Sequence, residues 1–209
     1  MVGIQHFEVF FLACIILILT PGTDTIYILS RSAWGKKSGV YSVLGTSSGI
    51  ITHTILAALG LSVILAKSAM AFMIVKVIGA VYLVYLGITT LISKDKKLMC
   101  VEKSNAHSLK ETFLHGFLNN LLNPKVALFF ISFLPQFIDS TNAYGIFPFI
   151  ILGMTFYMMS LIWSFVLVLI SAWVTEYLKK DITSSKMINK FCGILYIGFG
   201  LKLLTADNK

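Results

Sequence analysis

Asp24 is the acidic residue that lies deepest within an apolar segment of this 209-residue chain. The other eight acidic residues lie near the ends of such segments, in polar connections or in the tail. If the segments cross a bilayer, a central carboxylate costs about 2.5 to 3.5 kcal/mol, so it should face the protein interior and have a partner. We therefore predict that Asp24 binds a substrate cation or carries a proton.

Lys125 has the opposite charge at a similar place in the second half of the chain. It follows Asn123-Pro124, just as Asp24 follows Thr20-Pro21-Gly22. Thr and Asn are good N-cap residues and Pro is favoured at the first helical position, so both motifs predict a helix that restarts within an apolar segment. A lysine in the first turn of a helix needs an anion, which Asp24 or a substrate carboxylate would supply.

Two such breaks at membrane depth predict a cavity, because irregular backbone is tolerated there only beside protein or water. Simple proline kinks are the alternative.

Gly45, Gly49 and His53 recur every four residues, which predicts that the glycines pack closely against another helix. His53 is either a neutral packing residue or a proton carrier. The predicted substrate-binding or proton-coupling residues are Asp24, Lys125, Asn123, Thr20, Pro21, Gly22, Pro124 and His53.

The composition is that of an integral membrane protein. Hydrophobic residues make up 57% of the chain and charged residues 12%, and the mean hydropathy is +0.86. These values exclude a soluble enzyme, a secreted disulfide scaffold and a disordered chain. Three scattered cysteines give no disulfide framework, and we expect no metal or cofactor. The spans of the predicted all-α fold lie at about residues 7–29, 40–65, 69–92, 112–138, 146–173 and 187–205.

The net charge of +8 reflects topology rather than nucleic-acid binding. Twelve of the 17 Lys and Arg residues follow the first, third and fifth spans, which the positive-inside rule places in the cytoplasm. Residues 1–92 and 112–209 would then form two three-helix repeats of opposite orientation, joined by the basic cytoplasmic linker 93–111. Leu19-Thr20-Pro21 and Leu122-Asn123-Pro124 occupy equivalent places in the two repeats. The first and fourth helices are therefore expected to break at Pro21 and Pro124.

With these motifs the chain resembles the lysine exporter and threonine/homoserine efflux family of bacterial amino-acid exporters. The resemblance rests on Thr20-Pro21-Gly22-Thr23-Asp24-Thr25 in the first half and on Gly116 to Lys125 and Phe133 to Phe137 in the second. The family usually has Pro-Gly-Pro before the polar residue, whereas this chain has Thr23 in place of the second proline. The resemblance implies an exporter in the bacterial cytoplasmic membrane that exchanges amino acids for protons.

The expected mechanism follows from the two charges. Asp24 would receive the substrate ammonium, Lys125 and helix N–H groups would receive the carboxylate, and protonation of Asp24 would release the amine. The expected partners are the lipid bilayer, an amino acid and protons, and a homo-oligomer is compatible with the sequence. Export of another small solute or of a cation is the alternative. An intramembrane enzyme is disfavoured, because the chain lacks H-E-x-x-H, G-x-S-x-G and P-loop motifs.

Overall fold

The structure, a computed structural model, describes residues 3–62, 108–139 and 144–171 in full and the backbone of residues 172–180. It also describes isolated helical positions between residues 70 and 91 and between residues 194 and 201. These parts of the chain are mostly helical, with short turns and breaks between the helices and an isolated antiparallel bridge between Ile4 and Ile138. The predictions on residues 93–107 and on most of the third and sixth spans lie outside the described residues.

Six helices are defined in these ranges. They are α1 (Phe7–Leu19), α2 (Thr23–Ala33), α3 (Lys36–Leu56), α4 (Leu109–Leu121), α5 (Pro124–Leu128) and α6 (Phe147–Lys180). Helix α3 continues through a π-helical turn (Ala57–Leu61), and α5 continues through a π-helical turn (Phe129–Phe133) and a 3-10 turn (Leu134–Phe137).

Two of these helices are long and apolar enough to cross a membrane by themselves. Lys36–Leu61 has 26 residues and Phe147–Ser171 has 25, where roughly 20 are needed. Two bent pairs, α1 with α2 and α4 with α5, reach this length only when each pair is taken as one broken span. The described residues thus contain two candidate spans, or up to four. The predictions of a membrane location and of a helical fold are confirmed.

The helices bend at the two predicted places. The bend is 50° between α1 and α2 and 46° between α4 and α5. Helix α5 begins as predicted, since Asn123 is its N-cap, accepts a hydrogen bond from the Lys125 N–H at 3.0 Å, and precedes Pro124.

The predicted start of the first half-helix at Pro21 is wrong by two residues. Helix α2 begins at Thr23, after an extended Gly22 at the N-cap. The Thr20 hydroxyl donates a 2.6 Å hydrogen bond back to the carbonyl oxygen of Ile16, so Thr20 ends α1 instead of capping α2. The break therefore covers residues 20–22.

Helices α3 and α4 pack closely where small residues meet. A Cβ at Gly45 would overlap the backbone carbonyl of Phe113, and a Cβ at Gly116 would lie 2.9 Å from the carbonyl oxygen of Ser42. Such contacts let two backbones approach without large side chains between them. This contact fixes the position of the end of α4, which carries part of the candidate site.

Candidate substrate site

The carboxylate of Asp24 is held by three asparagine side chains. Its Oδ1 accepts a 2.7 Å hydrogen bond from the Asn119 amide. Its Oδ2 accepts bonds of 2.8 Å from Asn120 and 3.0 Å from Asn123. We call these three residues the asparagine cradle. Hydrogen bonds from neutral amides stabilise an ionised carboxylate without cancelling its charge.

The end of α4 and the break after it position the three residues of the asparagine cradle. Asn119 and Asn120 lie in the last turn of α4, and Asn123 follows within the break. Asn119 and Asn120 are about 100° apart around the axis of α4. The extended backbone of Asn123 in the break brings its amide to the same carboxylate. Asn123 has two functions, because its Oδ1 caps α5 while its Nδ2 binds Asp24.

Lys125 contacts the other break. Its Nζ donates hydrogen bonds of 2.8 Å to the carbonyl oxygens of Leu17 and of Thr20. These carbonyls lie at the end of α1, where the interrupted helix leaves its acceptors unpaired. A cation is also favourable at a helix C-terminus. Lys125 therefore stabilises the end of α1. The sequence predicted an anion as its partner and did not predict these two backbone carbonyls.

Both breaks open onto one cavity. Thr20, Gly22 and Asp24 line it from the first break, and Asn123 and Lys125 line it from the second. The further lining residues include Asn120 on α4 and, on α6, Phe156, Ser160, Trp163, Ser164 and Leu167. The cavity volume is about 50 Å³, which is room for a few water molecules; a cavity that holds benzene measures about 150 Å³.

Three of the predicted site residues do not line this cavity. Pro21 and Pro124 lie at the breaks and shape the backbone there. His53 is buried; its Nε2 lies 3.4 Å from the Asn120 carbonyl oxygen and its ring stacks on Phe130 at 5.6 Å. The imidazole is therefore adjacent to the backbone of the cradle but outside the cavity.

Sequence reasoning missed Asn119 and Asn120. The available signal was three amides at positions 119, 120 and 123, directly before a proline and within an apolar segment. The structure also places Trp163 in the cavity wall. The Tyr27 hydroxyl on α2 donates a 2.7 Å hydrogen bond to the carbonyl oxygen of Thr112 on α4.

Fold and site together define a membrane protein in which two broken helices enclose a small charged cavity. The chain belongs to the LysE-type translocator family, whose model matches residues 15–207. It is a transporter and not an enzyme, as the sequence predicts.

Curated relatives align with nearly the whole chain. A Bacillus subtilis membrane protein, YrhP, is 33% identical over 89% of this chain and 92% of its own length. A membrane protein of Pseudomonas aeruginosa is 31% identical over 98% of this chain and 97% of its own. The leucine efflux protein of Salmonella choleraesuis is 30% identical over 99% and 98%.

The family and the efflux relatives support amino-acid export by a membrane transporter. No solved structure matches the chain at a significant level.

Proposed function

We propose that the protein exports neutral amino acids by exchanging each for a proton, with the cavity opening alternately to the two sides of the membrane. The observation that carries this proposal is that Asp24 and Lys125, from two different helix breaks, line one cavity. An amino-acid zwitterion has one charge complementary to each. A relative named a leucine efflux protein supports a neutral amino acid as the substrate.

On binding, the substrate's ammonium and carboxylate replace some of the hydrogen bonds that the site residues make in this conformation. Its ammonium binds Asp24 beside the asparagine cradle, and its carboxylate competes with two backbone carbonyls for Lys125. Ile28, Ile50 and Leu167 supply an apolar wall for the side chain. Because about 50 Å³ is too small for leucine, the cavity must widen on loading, and the bends at residues 20–22 and 122–123 are its hinges.

Proton exchange gives export a direction. A zwitterion has no net charge, so the membrane potential, about 2.3 kcal/mol per charge per 100 mV, does not drive it alone. Ionised Asp24 receives the ammonium from the cytoplasm, and a proton from outside displaces it. Residues 1–92 and 112–209 then rock against each other as inverted repeats and return the proton inward.

Transport in reconstituted vesicles tests the role of Asp24. With Asp24→Asn, we expect leucine efflux driven by a pH gradient to fall to the level of empty vesicles. Glu8→Gln is the matched control, because Glu8 is an exposed carboxylate in the first turn of α1. Wild-type efflux by folded Asp24→Asn protein would reject the proposal.

A further inference from the structure

We propose that Asn119, Asn120 and Asn123 position Asp24 for proton exchange, and that Gly49 on α3 positions Asn120. This inference rests on the proposed function, since it names the residues that decide when Asp24 takes up its proton. None of these four side chains titrates. They act through the carboxylate of Asp24 and are therefore positioning residues.

The cradle uses both carboxylate oxygens of Asp24. Three N–H groups from the end of α4 and from the second break point at an oxygen pair on α2, at 2.7 to 3.0 Å. Each bond stabilises the ionised carboxylate relative to the protonated one. The cradle also ties α2 to α4 across the cavity, between residues 95 to 99 positions apart in sequence.

Gly49 decides where Asn120 lies. A Cβ built on Gly49 would lie 2.5 Å from Oδ1, 2.8 Å from Cβ and 2.9 Å from Cγ of Asn120. Asn120 is 1% exposed, so packing leaves it little room to retreat. Its Oδ1 has no hydrogen-bond partner among the described residues, and its Nδ2 binds Asp24. A methyl group at position 49 would therefore push the amide away from Asp24.

Two further ionisable groups lie near Asp24 on the elements packed against α2. Lys125 on α5 lines the same cavity, and Nε2 of His53 on α3 lies 3.4 Å from the carbonyl oxygen of Asn120, whose amide binds Asp24. The cavity-lining residues of α6 are Phe156, Ser160, Trp163, Ser164 and Leu167, none of which is ionisable. The amides are thus the groups that hydrogen-bond Asp24 directly.

Protonation of Asp24 weakens the cradle. A proton delivered by hydronium forms an O–H bond on one carboxylate oxygen and leaves a water molecule, and that oxygen becomes a donor and a poorer, uncharged acceptor. The amide N–H groups that donate to the carboxyl group then make weaker hydrogen bonds. The hydrogen bonds that join α2 to α4 therefore weaken at the step in which the cavity must close to one side of the membrane and open to the other.

The pH dependence of leucine efflux in proteoliposomes tests this inference. Removing one cradle bond makes Asp24 easier to protonate, so the pH of half-maximal efflux should rise by about one unit in Asn119→Ala and Asn120→Ala. Gly49→Ala should shift it in the same direction without removing any polar group. Gly60→Ala, in the π-helical turn that continues α3, is the matched control, because a methyl group there meets no atom of the described residues within 4 Å. It should leave both the yield of folded protein and the pH profile at their wild-type values.

The outcomes separate this inference from the proposed function. Asn119 is only half-buried, so Asn119→Ala provides the test if Gly49→Ala or Asn120→Ala does not fold. A wild-type pH profile in the folded variants, with efflux abolished in Asp24→Asn, would overturn the cradle's role and keep Asp24. Wild-type, pH-dependent efflux by Asp24→Asn would overturn the proposed function itself.

Discussion

Asp24 and Lys125 each bind the helix break that directly precedes the other residue. Asp24 accepts a hydrogen bond from Asn123, two residues before Lys125, while Lys125 donates to Thr20, four residues before Asp24. The two charged residues thus brace the breaks reciprocally. A movement that opens one break must change the contacts of the other.

Lys125→Met is expected to destabilise the protein and to abolish efflux. Methionine keeps most of the apolar stem but leaves the carbonyls of Leu17 and Thr20 without their donor, and each lost bond to a charged group contributes about 1.5 to 3 kcal/mol. Thermal unfolding in detergent measures the first effect and vesicle efflux the second. Lys37→Met, at an exposed site in the first turn of α3, should change neither. An unaltered melting temperature for Lys125→Met would contradict the brace.

The two functions of Asn123 separate in two variants. Asn123→Ser keeps a side-chain oxygen to cap α5 but loses the amide that binds Asp24, whereas Asn123→Ala loses both. We expect the alanine variant to be less stable than the serine variant by about 1 kcal/mol. Both should shift the pH profile of efflux upward. Equal stabilities of the two variants would show that the cap contributes nothing.

The substrate should be limited to neutral amino acids. Asp24 and Lys125 are the charged residues among those that line the described cavity, and they match the two ends of a zwitterion, so a third substrate charge would have no partner. In vesicles loaded with radiolabelled leucine, lysine or glutamate, we expect leucine efflux to exceed the others at least about tenfold, the ratio that 1.4 kcal/mol gives. Equal efflux of lysine would contradict this assignment.

Water access to the cavity is testable by cysteine labelling. In a background without the native cysteines, Ser160→Cys should react with a membrane-impermeant maleimide, and leucine should slow the reaction. Ser160 lines the cavity. The control is Leu169→Cys on the same helix, where the side chain is 73% exposed on the outer, apolar surface and should remain unlabelled in lipid. Labelling of both sites at one rate would argue against an enclosed aqueous chamber.

Local chemistry explains which features the sequence predicts. The start of α5 follows from Asn123-Pro124, because the cap and the proline act within one turn. The same reasoning fails at Thr20-Pro21, because the Thr20 hydroxyl donates to the Ile16 carbonyl behind it instead of accepting from a backbone N–H ahead of it. Asp24 is noticeable because it is the acidic residue that lies deepest within an apolar segment. Its contact with Asn119 joins residues 95 positions apart, and only the tertiary packing of α2 on α4 brings them together.

Leucine-driven proton movement tests the central claim most directly. Wild-type vesicles loaded with leucine and with a trapped pH-sensitive dye should acidify inside when diluted into leucine-free buffer, because each exported molecule brings a proton inward. Asp24→Asn vesicles with the same amount of folded protein should show no acidification above that of empty vesicles. Acidification by Asp24→Asn at the wild-type rate would contradict the assignment of the coupling proton to this carboxylate.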